Sequence, residues 1–160
     1  MKKIIMTKNQ LFALGETSKL QIMTGFQQKV NCQIDFLAIS FDETDKGSFF
    51  AKEKILQENQ EIKKIEIDLS KLEPFVKRIA IIDEIYTIQN DKLSKKESPY
   101  FKILNDEYEW IFNVPEKIGC HKVFIGFEIY ISNNKWYLKA VGNSVRLKLF
   151  KEIKASYLHD

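Results

Sequence analysis

Between Val123 and Ala140 the chain alternates apolar and polar residues on either side of a short polar break, a pattern that suits strands and not a helix. Val123, Ile125, Phe127, Ile129 and Ile131 recur at every second position, Ser132-Asn133-Asn134 follows, and Trp136, Leu138 and Ala140 then alternate with Lys135, Tyr137 and Lys139. Successive strand side chains point to opposite faces, so each arm has a core side and a water side. Asparagine tolerates the positive φ of a tight hairpin turn. The segment predicts a long β-hairpin with Val123, Ile125, Phe127, Trp136 and Leu138 buried.

The same period recurs upstream. Leu20, Ile22, Thr24 and Phe26 share one face; Ile65, Ile67 and Leu69 alternate with Lys64, Glu66 and Asp68; Tyr108, Trp110, Phe112 and Val114 alternate with Glu107, Glu109, Ile111 and Asn113. Arg78 to Tyr86 is apolar on both faces apart from Asp83 and Glu84, as in a strand covered on both sides. Leu69 to Phe75 reads as a short helical or turn crossover, and Gln89 to Ser98 as a polar loop ended by Pro99. Lys52 to Glu61 fits either a loop or one short helix. The period changes at the C-terminus, where Val145, Leu149, Ile153 and Tyr157 recur every four residues among Arg146, Lys148, Lys151 and Lys154. That pattern predicts a basic amphipathic helix starting near Ser144, capped by Asn143 or Ser144. The expected fold is mainly β: one domain over residues 1–160, two sheets packed as a β-sandwich, a short crossover helix and a C-terminal α-helix.

Bulk properties narrow the function classes. A chain of 160 residues suits one core, and 44% hydrophobic with 29% charged residues excludes a disordered chain. The net charge of +3 is too small to demand a polyanionic partner, so nucleic acid is not required. Cys32 and Cys120 are too few for a secreted disulfide framework. Lys8, Asn9 and Gln10 interrupt the start before a leader's apolar stretch could form, and no apolar run is long enough to span a bilayer. Cytoplasm is the expected compartment.

The order of segments resembles a known family. Glu128-Ile129-Tyr130, then Asn133-Asn134-Lys135-Trp136-Tyr137-Leu138-Lys139-Ala140-Val141-Gly142, is similar to the signature of the tellurium-resistance TerD family. Ile65-Glu66-Ile67-Asp68-Leu69 with Val76 to Ile81, Ile34 to Phe41, and the shorter matches Met6-Thr7-Lys8 and Thr24-Gly25-Phe26 extend the likeness along nearly the whole chain. The resemblance implies a two-sheet β-sandwich, calcium binding through acidic loops, a role in bacterial stress response and no enzymatic reaction. The departures bear on the metal. The family strand carries two aspartates spaced by one residue; here the first is Asp35 and the second position is Leu37. The family's long Gly-Asp-rich loop is reduced to Glu58-Asn59-Gln60-Glu61. Asp35, Glu58, Asn59 and Glu61 are therefore the candidate ligands of a weak or vestigial calcium site, because Ca²⁺ takes about six to eight oxygen ligands, several of them carboxylates.

Other candidates have structural readings. Asp42-Glu43-Thr44-Asp45 leads into Lys46-Gly47-Ser48 and suits a solvated turn. Cys120 and His121 are neighbours in a strand, point to opposite faces, and cannot form a nucleophile–base pair. Asp83 and Glu84 could mark a site with shifted pKa values, but the expected arrangement is structural, with one member outward and the other bonded to backbone or a lysine. No acid, base and nucleophile converge, so an enzyme is not expected and no cofactor beyond weak calcium is implied. The leading expectation is a binding or scaffold module with protein partners. The alternative is a membrane-surface adaptor using the basic C-terminal helix.

Overall fold

The computed structural model of the chain describes residues 1–16, 18–26, 32–44, 47–52, 54–55, 62–87, 99–114 and 121–145. Its strands are β1 (Lys2–Ile5), β2 (Leu11–Ala13), β3 (Lys19–Phe26), β4 (Cys32–Phe41), β5 (Gly47–Lys52), β6 (Lys54–Ile55), β7 (Ile62–Asp68), β8 (Arg78–Thr87), β9 (Pro99–Leu104), β10 (Tyr108–Asn113), β11 (His121–Ser132) and β12 (Lys135–Val145). They form two six-stranded sheets. Sheet A has the order β1-β10-β9-β3-β7-β6 and sheet B the order β2-β12-β11-β8-β4-β5. Every described strand pairing is antiparallel except β1 with β10.

One core lies between the sheets. Leu20, Ile22, Ile65, Ile67, Phe101, Ile103, Trp110 and Phe112 enter it from sheet A; Phe36, Ala38, Ile79, Ile81, Phe124, Phe127, Ile129 and Leu138 enter it from sheet B. The alternation of β3, β7 and β10 thus places its apolar face as expected. The expected crossover between sheets is a single 3-10 turn, Leu69–Lys71, between β7 and β8. Asp68 caps it, accepting hydrogen bonds from the Ser70 amide at 3.0 Å and the Ser70 hydroxyl at 2.6 Å. The hydroxyl bond is the main reason the Asp68 carboxyl titrates below its ordinary value.

The hairpin turns where the asparagines predict. Ser132 pairs with Lys135, and Asn133 and Asn134 carry φ of 51° and 62°. Two positive φ angles in a two-residue loop are the geometry that matches the strand twist.

The facing of β11 differs from the simple alternation. Val123 is buried, but on the outer face of sheet B, and Ile125 is half-buried beside it; the core receives Phe124, Phe127 and Ile129 instead. The cause is a β-bulge between Ile125 and Phe127. One extra residue reverses the phase of every side chain before it. Gly126 occupies the bulge, and a Cβ there would run into the Phe101 ring of the opposite sheet. Gly142, with φ of 73°, absorbs the matching irregularity in β12.

Two further expectations are corrected. Trp136 is only half-buried against the edge of the core, whereas Trp110 is 1% exposed and is the tryptophan the core is built around. Trp136 sits next to the turn, where sheet A no longer covers it fully. No α-helix starts at Ser144, because β12 continues to Val145 and Ser144 pairs with Phe124. The ladder with β11 supplies backbone partners that a helix start would have to give up. Residues 146–160 lie outside the described residues, as do 88–98 and 56–61 in the two loops named above.

Chemical denaturation should therefore rank the tryptophans. Trp110→Ala is expected to cost about 3–5 kcal/mol and Trp136→Ala clearly less. Gly126→Ala should cost about 1–3 kcal/mol, because Phe101 must leave its rotamer to admit a methyl group. Equal losses at the two tryptophans would contradict the burial difference.

Candidate functional site

The outer face of sheet B changes character along the strands. Register and alternation place Phe41, Arg78, Tyr130 and Tyr137 in one row across β4, β8, β11 and β12. The next row holds Ile39, Ala80, Glu128 and Lys139. Leu37 and Ile82 follow, and the far row holds Asp35, Glu84 and Val123. One end is aromatic and cationic, the middle is apolar, and the other end carries carboxylates.

The cationic end is built by contacts between neighbouring strands. The Arg78 guanidinium stacks over the Phe41 ring at 4.1 Å from its centroid, and its Nη1 donates to Glu128 Oε1 at 3.1 Å. Planar guanidinium suits both contacts at once. Tyr130 and Tyr137 stack with centroids 5.6 Å apart and planes 21° apart. Lys139 lies opposite Glu128 in the ladder, and Lys135 is exposed at the turn. The surface therefore presents two tyrosines flanked by lysines on a rigid hairpin. Sequence reading had placed Lys135, Tyr137 and Lys139 together on this face. It did not include Arg78, Phe41 and Tyr130, which join them only through cross-strand register. The alternation of Glu128 with Tyr130 was the available signal.

The acidic end holds Asp35 and Glu84 directly opposite each other. Like charges facing across a ladder are unfavourable unless a cation or proton compensates. Glu84 is 1% exposed and Asp35 is half-buried. Two residues along β4, on the same face as Asp35, Leu37 is 3% exposed within an apolar cluster of Ile39, Ala80, Ile82 and Val123. Glu58, Asn59 and Glu61 lie outside the described residues. Among the described residues no three His, Cys, Asp or Glu side chains come together as a metal site.

Asp83 and Glu84 point to opposite faces, but both are buried, and Asp83 takes a threonine hydroxyl as a partner where the expectation is backbone or a lysine. Asp83 points into the core and is fully buried, and the Thr24 hydroxyl from sheet A bonds its Oδ2. Thr24 Oγ1 also lies 3.3 Å from the Tyr100 carbonyl oxygen. This polar bridge between the sheets gives one oxygen of the carboxyl a partner and so lowers the cost of burying it. Asp42 Oδ1 accepts from the Thr44 amide at 2.8 Å and its hydroxyl at 2.7 Å, a capped turn over Asp42 to Thr44, while Asp45 lies outside the described residues. His121 opens β11, while Cys120 lies outside the described residues.

A separate cleft of about 580 Å³ lies at one end of the sandwich. Glu16, Lys19, Asp106, Glu107 and Tyr108 contribute to its walls. Sequence reading had not singled it out, because the β2–β3 connection and the β9–β10 turn meet only in the fold.

Against this geometry, the TerD domain model matches residues 15–157. The chain belongs to the TerD family. No curated protein matches its sequence. Among solved structures, a homologue of the telluride resistance protein TerD from Streptomyces coelicolor A3(2) aligns with a TM-score of 0.52 at 11% identity, over 84% of this chain and 95% of that one. A protein of unknown function aligns with a TM-score of 0.48 at 8% identity, over 81% of this chain and 92% of its own. In this TerD chain the residues of the family-like hairpin hold sheet B together: Glu128 pairs with Arg78, Tyr130 stacks on Tyr137, and Gly142 turns the backbone beside the bulge.

The inter-sheet polar bridge has a measurable worth. Thr24→Val removes the hydroxyl at nearly constant shape and is expected to lower stability by about 1–3 kcal/mol. Thr24→Ser should recover most of that loss in the same melts.

Proposed function

We propose that this TerD-family chain is a binding or scaffold module without a reaction of its own, acting through its surface in a bacterial tellurite-type stress response. Its calcium site is weak or vestigial. One observation carries this reading. Leu37 stands where the family resemblance puts the second strand aspartate, and it is sealed in an apolar cluster on the same face as Asp35. A cation beside Asp35 would meet hydrocarbon where a carboxylate is needed, and a cage short of carboxylates does not offset the cost of dehydrating Ca²⁺. The protein-facing surface is the cationic end of sheet B. Tyrosines with little rotamer freedom and flanking lysines suit an interface core with a polar rim.

Ligand linkage tests the calcium half. An ion that binds only the folded state raises stability by about 2.7 kcal/mol at one hundred times its dissociation constant. Thermal melts with millimolar Ca²⁺ and with chelator are expected to coincide. A rise in midpoint that Asp35→Asn abolishes would restore a working site centred on Asp35. The binding half is tested by recovery of partners from native cytosol. The same proteins should be recovered with Ca²⁺ and with chelator, and lost from the double variant Lys135→Glu with Lys139→Glu while its melting midpoint is kept. Retention of those partners by the double variant would remove this face from the proposal.

A further inference from the structure

β1 and β2 are each the last strand of their sheet, and they lie on one flank of the sandwich, where Phe12 of β2 stands edge-on to Trp110 of β10, the neighbour of β1. Pairing with β10 uses the backbone of every second residue of β1. The amides of Lys2 and Met6 donate to the carbonyl oxygens of Glu107 and Ile111 at 2.9 and 2.8 Å. The amide and carbonyl groups of Lys3 and Ile5 therefore point away from the sheet. Among the described residues no strand pairs with that side of β1. Met1, Ile5 and Leu11 are 74%, 58% and 53% exposed. They are three of the four large hydrophobic side chains that stand in water among the described residues, and all three lie in or beside β1 and β2. An open strand edge bordered by exposed apolar side chains is a template for a further strand.

We propose that β1 takes an extended acidic peptide as an added, antiparallel strand at the edge of sheet A. Charge selects this occupant over a second copy of the chain. Residues 1–15 hold Lys2, Lys3 and Lys8 and no acidic residue, and all three lysines are exposed. Glu109, opposite Lys3 in the ladder, is held by Lys102 at 3.0 Å. Two copies joined edge to edge would bring the lysines of one toward those of the other, and lysines on an edge strand oppose such pairing. An acidic strand meets the same lysines favourably.

Register gives the peptide its pattern. Lys3 and Ile5 each exchange two backbone bonds with the residue opposite, and side chains directly opposite share a face. On the outer face of sheet A a carboxylate then meets Lys3 and an apolar side chain meets Ile5. On the inner side Ile4 packs against the core, and Lys2 Nζ lies 5.8 Å from the centroid of the Tyr108 ring. An apolar and an acidic residue suit these two in turn. Read from its N-terminus, the added strand is two apolar residues followed by two acidic ones. Its backbone supplies affinity and its side chains selectivity. The edge belongs to sheet A, so this proposal and the Tyr130–Tyr137 face of sheet B stand or fall separately.

Amide exchange of the full-length chain with the capped peptide Gly-Thr-Ile-Val-Glu-Asp-Thr-Gly tests it. At about ten times the dissociation constant, exchange at Lys3 and Ile5 is expected to slow about tenfold, while Met6, already bonded to β10, changes little. The same peptide with lysines in place of its two acids should not bind. Lys2→Glu with Lys3→Glu should reverse that preference, an outcome that a damaged fold cannot give. Ile5→Pro removes an outward amide that β10 does not use, and should abolish binding with the melting midpoint kept. Protection of Leu11 and Ala13 in place of Lys3 and Ile5 would move the site to β2 and overturn the proposal. It is overturned equally if exchange at Lys3 and Ile5 slows with rising protein concentration in the absence of peptide, which would assign the edge to a second copy. Protection by vesicles of anionic lipid but not by the acidic peptide, or exchange unchanged at the highest soluble peptide concentration, would also overturn it.

Discussion

The Phe101 ring lying on Gly126 is the contact on which the rest of the arrangement depends. Phe101 is fully buried at the centre of the core, tilted against Phe36 with centroids 6.4 Å apart and edge-on to Phe127 at 6.2 Å. It comes from sheet A and the other three residues from sheet B, so one ring sets the spacing of the two layers. A side chain at 126 would push it out. The same glycine carries the bulge that reverses the facing of β11, and the reversal sends Val123 and Ile125 outward. The second apolar cluster of this protein is therefore a consequence of one close approach in the core.

Sheet B is consequently apolar on both faces along β8. Ile79, Ile81 and Ile85 face sheet A, while Ala80 and Ile82 face away, and all are 0–3% exposed. Such a strand leaves little room for charge, yet Asp83 and Glu84 sit in it. Each is accommodated on its own side: Asp83 by the Thr24 hydroxyl reaching across the core, Glu84 on the outer face opposite Asp35. The Thr24–Asp83 bond ties one position of sheet A to one position of sheet B.

The TerD likeness gains physical content from these contacts. Glu128, Tyr130, Trp136 and Gly142 are placed by the packing of sheet B, so their recurrence in a divergent chain reports the architecture. Leu37, on the same face as Asp35, is part of a hydrophobic surface, and β4 keeps its full register with β8 from Cys32 to Phe41. Side chains on one face can change without altering the fold because the ladder is made by backbone groups.

Strand content, the faces of β3, β7 and β10, the Asn133-Asn134 turn and the family likeness were legible in the sequence. All of them rest on local rules: period two, positive φ at asparagine, and polar breaks between apolar runs. Asp35 on one face with Leu37 was legible for the same reason. The bulge at Gly126, the half-exposure of Trp136 and the continuation of β12 through Ser144 were not. Alternation alone cannot tell which face of a doubly apolar strand meets the core, and a glycine shows its purpose only when the ring that approaches it is in place. The gathering of Phe41, Arg78, Tyr130 and Tyr137 was likewise decided by tertiary structure, because residues separated by dozens of positions become neighbours through register between strands, and register is set by the packing of the whole sheet.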